Sequence, residues 1–427
     1  QVPWDEIWKY LLAFCEEVVQ QGRFWSEESA QKRDHFVANR YWVVGSVGRL
    51  IENGTRFDDH AFSEQYLNQA QAILIVLLQK EKGEEFKPDS DAVSISINSP
   101  RGRCLEAFIN LSLRVCRLAD RQGDGHLEVW RNIEPTYNAE LARPDIGEYE
   151  FATLVVNYLP NFLYMSTEWV LANLSKIFDQ ENYQKWLCAM NGYAYVNRVY
   201  EGIYDHLRKQ RHFVRALDDE NLKDRVAEKI IQNIAIAFVD NFELVDEDSS
   251  LIHQLLERRK QSELSQLIWF MWTLRKEGDT KVRGKVFELW PRLLGVIDTN
   301  SQKGKKLASR LSTWSVFVDE VNEMNKPLIL AVAGYAEHDY NSHDLLEMIA
   351  RTSKAQPREA YEIWSKLLEG TCTDFPEEAV RTALKNLSQS GAEGVRLAKN
   401  IVSAYLKGGI ERPSIWLKEL KSVVHGV

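Results

Sequence analysis

Cysteine is scarce in this chain, and its placement excludes both a disulfide framework and a zinc site. Cys15, Cys104, Cys116, Cys188 and Cys372 are odd in number and scattered, with no Cys-x-x-Cys pair and no histidine at zinc-binding spacing. They read as buried thiols in a reducing compartment, and a cytoplasmic location is expected. A basic excess is missing as well. Lys and Arg number 53 against 62 Asp and Glu, and the net charge of −9 argues against a general polyphosphate binder. No apolar run reaches the roughly 18–20 residues that span a bilayer, and no signal peptide precedes the first helix, so no membrane partner is expected. Strand-like alternation is confined to Val93, Ile95 and Ile97, too short a stretch to found a sheet.

Catalytic motifs are absent in the same way. The Gly278…Gly284-Lys285 stretch departs from a phosphate loop in its glycine spacing, and Val286 stands where a magnesium-binding Ser or Thr belongs. His338 and His343 lie five apart beside Glu337, Asp339 and Asp344, which is not the spacing that puts two imidazoles on one helical face, so a helix-connecting loop is expected there. His206 and His212 sit among basic residues without an orienting carboxylate. There is no Gly-x-Ser-x-Gly elbow, no cysteine in a nucleophile context and no carboxylate cluster for nuclease metals. The expectation is therefore no enzyme, no cofactor and no metal.

What is abundant is apolar and aromatic surface in helical register. Hydrophobic residues make up 44% of the chain, with 13 Trp, 16 Tyr and 17 Phe, enough to bury several cores. Leu222, Val226, Ile230, Ile234 and Phe238 step by four, and Leu307, Leu311, Trp314 and Val318 by four, three and four. Helices are expected over 182–209 and 302–320 among many others, and the polar stretch from Lys80 to Asp91 reads as a surface loop that buries little. Pro357-Arg358-Glu359 and Pro376-Glu377-Glu378 each place a proline and acids where a helix begins. Their spacing suits one helix plus a turn, and two such steps make a helical pair of about 38 residues, within the range of tetratricopeptide and HEAT repeats. The fold expected is all-α, an irregular helical-repeat α-solenoid. Two parts are expected, a helical region over 1–245 and a repeat array over 246–427, divided by the acidic run Asp246-Glu247-Asp248. The start at Gln1, followed closely by Trp4 and Trp8, suggests a C-terminal piece of a longer polypeptide.

Two basic clusters, Lys305-Lys306 with Arg310, and Arg208, Lys209, Arg211 and Arg215, read first as solvated helix faces, the second being also a candidate partner-binding patch. Trp169, Trp186, Trp269, Trp272, Trp290 and Trp314 read mostly as core, with a minority free to anchor a partner.

One phrase stands apart. In Asn98-Ser99-Pro100-Arg101-Gly102-Arg103-Cys104-Leu105-Glu106, either Asn98 or Ser99 can cap a helix whose first position suits Pro100. Glu106 lies three residues from Arg103, within reach of a surface ion pair. Gly102 in a first turn is costly unless a neighbouring helix approaches closely.

The phrase, with Phe108-Ile109-Asn110-Leu111, Glu150-Phe151, Tyr158-Leu159-Pro160-Asn161-Phe162-Leu163-Tyr164, the Trp186 helix and Ile268-Trp269-Phe270-Met271-Trp272, resembles the C-terminal helical region of bacterial antiphage STAND NTPases of the Avs group, and that of some defence-associated sirtuin proteins. The likeness covers roughly residues 35–300. It implies a non-enzymatic sensor that binds a folded phage protein, the large terminase subunit or the portal, and triggers nucleotide-binding and effector domains upstream. It assigns no ligand site, and Asn98, Ser99, Pro100, Arg101, Gly102 and Glu106 are expected to set helix packing. The alternatives are a HEAT-like scaffold without a sensing role and a nucleic-acid module using the cluster at 208–215.

Overall fold

A computed structural model of the chain describes residues 4–26, 39–88, 90–143, 148–277, 280–337 and 340–424. Among these residues there are 22 α-helices and no strand, so the fold is all-α. The chain divides into two compact units, Gln1–Ile230 and Ile231–Val427, the division falling inside a helix ahead of the acidic run.

The first unit holds α1 (Trp4–Gln20), α2 (Arg40–Asn53), α3 (Leu67–Lys80), α4 (Ala92–Asn98), α5 (Pro100–Gln122), α6 (Leu127–Leu141), α7 (Glu150–Asn157), α8 (Leu159–Ile177), α9 (Tyr183–Tyr193), α10 (Glu201–Lys209), α11 (His212–Asp218) and the start of α12 (Asp224–Val239). Its organising element is α5, which touches α2, α3, α4, α6, α7 and α8. Such a helix is buried nearly all round, and from Cys104 through Leu113 every residue but Glu106 is inside. Around it Tyr137 meets Phe108, Trp130, Phe151 and Phe162, and its hydroxyl donates to Ser112 Oγ at 2.9 Å, which satisfies that buried polar group. The α2–α5 crossing is close because Gly48 has no side chain. A Cβ there would lie 3.1 Å from the Arg103 and Cys104 backbone.

Two expectations fail in this unit, and one segment that founds no sheet is placed in a helix. The alternating Val93-Ile95-Ile97 segment is helical, because Asp91 caps it by accepting from Ser94 N at 2.8 Å and because its buried residues, Ala92, Val93 and Ser96, follow helical spacing. The polar stretch after α3 is pinned and partly buried. Glu81 and Phe86 are inside, Tyr41 donates to Glu84 at 2.8 Å, and Phe86 packs edge-on against Tyr149. Finally, 182–209 is two helices. The break at 194–200 is tied to α12, where Arg225 donates to Tyr195 at 2.7 Å and Lys229 to Asn197 at 3.0 Å.

The second unit is a stack. It takes in the rest of α12, then α13 (Leu251–Arg258), α14 (Gln261–Thr273), α15 (Thr280–Val296), α16 (Gln302–Leu311), α17 (Lys326–Ala333), α18 (Tyr340–Thr352), α19 (Pro357–Gly370), α20 (Glu377–Gln389), α21 (Gly391–Lys407) and α22 (Arg412–Val424). Each helix from α13 to α20 packs on the helix two places further along, the contact pattern of a layered array whose members bury their apolar faces only against neighbours. Glu243, fully buried, starts the array by accepting from Ser250 Oγ and Leu251 N at 2.5 and 2.6 Å, capping α13 from a distance. The expected helix 302–320 is α16 followed by a 3-10 turn over Ser312–Phe317. That turn lets Trp314 reach inward, where its Nε1 donates to Ile268 O at 3.0 Å and its ring meets Trp290 edge-on.

Candidate functional site

The phrase at 98–106 occupies the start of α5, and nearly every side chain in it is spoken for. Ser99 is the cap: its backbone is extended (ψ 148) and its Oγ accepts from Gly102 N at 2.9 Å. Asn98 instead closes α4 by donating to Ser94 O at 2.8 Å. Gly102 meets the backbone of α4, since a Cβ there would stand 1.5 Å from Ser96 O. The same device recurs at α16, where Ser301 caps Gly304 N at 3.0 Å and a Cβ on Gly304 would stand 1.8 Å from Asp298 O. Two serine-capped helices thus begin with the preceding chain pressed onto a glycine at the third position.

Arg101 is 2% exposed and acts as a clamp. One Nη donates to the carbonyls of Leu78 and Glu81 at 2.5 and 3.1 Å, at the end of α3, and the other to the Glu140 carboxylate on α6. The expected Arg103–Glu106 pair does not form. Glu106 accepts from the Tyr158 hydroxyl at 2.8 Å, because α5 turns it toward the α7–α8 junction and away from solvent.

Beyond this clamp lies a buried acid that the sequence does not connect to the phrase. Glu150 Oε1 accepts from Ser99 Oγ at 3.0 Å and from Glu84 N at 2.7 Å, while Oε2 is buried without a partner. Burial raises its pKa above the ordinary carboxylate range, opposed by those two bonds and by Arg101. The Glu81 carboxyl, which faces Arg40 at 3.5 Å, is raised for the same reason. The cavity in this wall has a volume of about 30 Å³, about what one water molecule fills. These charges hold helices together and face no substrate-sized space.

Because the folded pKa of Glu150 stands above its unfolded value, its protonation favours the fold. That contribution is present at low pH and is lost as pH rises through the folded value. Glu150→Gln keeps the acceptor for Ser99 and Glu84 and removes a buried charge. It is expected to be as stable as the parent or more so at pH 8, by up to about 1–3 kcal/mol, with the difference shrinking toward pH 4. Urea unfolding at the two pH values checks this, and a variant destabilised at pH 8 would contradict it.

The basic turn between α10 and α11 is less free than its sequence suggests. Arg208 and Lys209 both pair with Asp205, at 3.0 and 3.1 Å. Arg215 lies over the Trp186 ring, 4.1 Å from its centroid, and donates to Gln180 O at 3.4 Å. Arg211 is exposed with a left-handed backbone (φ 61). Alongside opens a cleft of about 960 Å³, lined among others by Lys176, Lys185, Gln180, Gln210, His206 and His212. Neither imidazole supplies positive charge there at neutral pH. His212 is buried, its Nδ1 accepts from Trp186 Nε1 at 3.0 Å, and burial pushes its pKa down to about 4; His206 is lowered by burial too. The cleft wall is mixed, with Glu134, Asp179 and Glu181 beside the two lysines, and Lys185 is paired with Asp179 at 3.7 Å.

No protein family, curated protein or solved structure matches this chain. The remaining sequence candidates are therefore placed by geometry alone. Gly284 and Lys285 lie within α15, where Lys285 pairs with Glu288 and sits over the Phe238 ring, an arrangement unlike a phosphate loop. Gly278, His338 and Asp339 lie outside the described residues, while His343 packs its ring edge-on against Phe375. Among the described residues no group of three or more His, Cys, Asp or Glu is placed to hold a metal, and no helix is long and apolar enough to cross a membrane. Four of the five cysteines are buried free thiols, and Cys372 is half-buried. Of the tryptophans, Trp186, Trp290 and Trp314 are fully enclosed, Trp169 nearly so, and Trp269 is 44% exposed.

Proposed function

We propose that the chain is a recognition module, a non-enzymatic sensor that binds a folded phage protein, the large terminase subunit or the portal, and passes that event to nucleotide-binding and effector domains. The observation that carries the recognition part is the solvent-facing apolar set along the second unit: Trp269, Met324, Phe375, Leu406 and Ile415 are all exposed. Each side chain lies on or between members of a layered helical array, a scaffold that suits extended binding surfaces. Exposed tryptophan and arginine are the side chains on which interface energy concentrates. The phage partner and the signalling role come from the resemblance of the 98–106 phrase and the aromatic helices after it.

The test is capture of purified terminase and portal proteins by the whole chain, followed by titration. Binding at micromolar or lower concentration supports the reading. No binding to either at accessible concentrations defeats it.

A further inference from the structure

We infer that α14 and α16 of the second unit form a docking surface for an acidic polypeptide segment carrying an apolar anchor residue. The inference rests on the recognition reading above and names the chemistry of the segment recognised.

In this unit several cations are matched by a carboxylate: Lys281 pairs with Asp240, Arg283 with Asp319, Lys285 with Glu288, Arg292 with Asp246 and Lys326 with Glu362. On α16 the cations gather on one helix. Lys303, Lys306 and Arg310 are exposed, recur at i, i+3 and i+7 on one helical face, and none has an acidic partner among the described residues. Arg259, exposed at the turn into α14 with a left-handed backbone (φ 49), is likewise without a carboxylate. A non-glycine residue held there is uncommon.

These cations share one surface. Arg310 donates to Ser265 Oγ of α14, which places the basic face of α16 against α14. Trp269 lies one turn on from Ser265 and is exposed. At the other end, Arg259, Ser262 and Lys303 line a groove of about 570 Å³ in which the one acid is Asp298. The unit is close to neutral, with 26 Lys and Arg against 27 Asp and Glu over residues 231–427, so its own charge does not repel an anion.

Length and composition decide between two kinds of polyanion. From Lys303 to Arg310 is about 10 Å at 1.5 Å per residue, which matches two or three carboxylates on one helical face or on alternate residues of an extended chain, about 6–7 Å apart. A single-stranded nucleic acid stacks successive bases on several rings. Here Trp269, one turn from the Ser265 that Arg310 reaches, is the exposed ring of α14, and it suits a single apolar side chain.

The test uses the whole chain and three fluorescent probes: a 16-residue peptide of glutamate with leucine at every fourth position, the same peptide with glutamine for glutamate, and a twelve-nucleotide oligothymidylate. The glutamate peptide is expected to bind, more weakly as salt rises. Lys303→Glu with Lys306→Glu, and separately Trp269→Ala, are expected to weaken it tenfold or more. Lys399→Glu with Lys407→Glu, the same charge change elsewhere in the array, is expected to leave it within twofold. Circular dichroism verifies that each variant is folded. The inference is overturned if the glutamate peptide does not bind, if the glutamine peptide or the oligonucleotide binds as tightly, or if the α16 reversal has no more effect than the control. Phage-protein capture separates this surface from the reading it rests on. Capture by the parent chain that survives the α16 reversal removes the surface and leaves the sensor. Peptide binding without capture removes the sensor and leaves the surface.

Discussion

Arg101→Met is expected to cost the first unit about 3–5 kcal/mol, the largest effect of any single change proposed for this protein, because it leaves a buried carboxylate without its counter-ion. Glu140 would lose that partner at a side-chain exposure of 8%, and the carbonyls of Leu78 and Glu81 would lose a donor inside the protein. Methionine fills much of the volume, so the loss would be electrostatic more than a cavity effect. Replacing both ends, Arg101→Met with Glu140→Leu, is expected to recover a large part of the stability, since a buried pair stabilises little relative to apolar residues of similar size. Urea unfolding of the two variants and of Glu140→Leu alone checks this. A single Arg101 variant within about 1 kcal/mol of the parent would mean that the clamp contributes little to the fold.

Gly102→Ala is expected to destabilise by about 3 kcal/mol, at the upper end of ordinary overpacking, even though alanine favours helices. The added carbon would stand 1.5 Å from Ser96 O and 2.6 Å from its carbonyl carbon, and both atoms are backbone, so α4 itself must move. Gly304→Ala meets the analogous obstruction, 1.8 Å from Asp298 O. Gly284→Ala is the control, for nothing lies within 4 Å of its added carbon, and it should be neutral or slightly stabilising. Thermal unfolding of the three separates close approach from helix propensity. Equal melting temperatures for the Gly102 and Gly284 variants would show that α4 yields at no cost. If both Arg101→Met and Gly102→Ala unfold the first unit while leaving the 303–310 surface able to bind its probe, architecture and recognition belong to different parts of the chain.

Local chemistry made some of this legible. The order Ser-Pro placed the start of α5 correctly, because a cap and a proline at the first helical position depend on adjacent residues only. Periodicity found the buried face of α12, where Val226, Ile230, Ile234 and Phe238 are all inside. It failed at residues 194–200, where apolar residues continue in plausible register but Tyr195 and Asn197 are held by Arg225 and Lys229 from another helix. It failed again at α4, too short for its period to separate from an alternation of two. At Glu106 the sequence offered a neighbour three residues away, and the fold supplied Tyr158 instead.

From residues alone came the all-helical class and the start of α5 at Pro100, because these rest on spacing of a few positions and on the chemistry of one turn. Tertiary structure decided which charges are buried and which lie open. Arg101 is enclosed because α3 and α6 close over it, and Arg208 and Lys209, written like a patch, are matched by Asp205. Trp269 lies open while Trp290 and Trp314 interlock inside, a difference set by how successive helices layer. Burial depends on segments distant in the chain, and no local pattern carries that information.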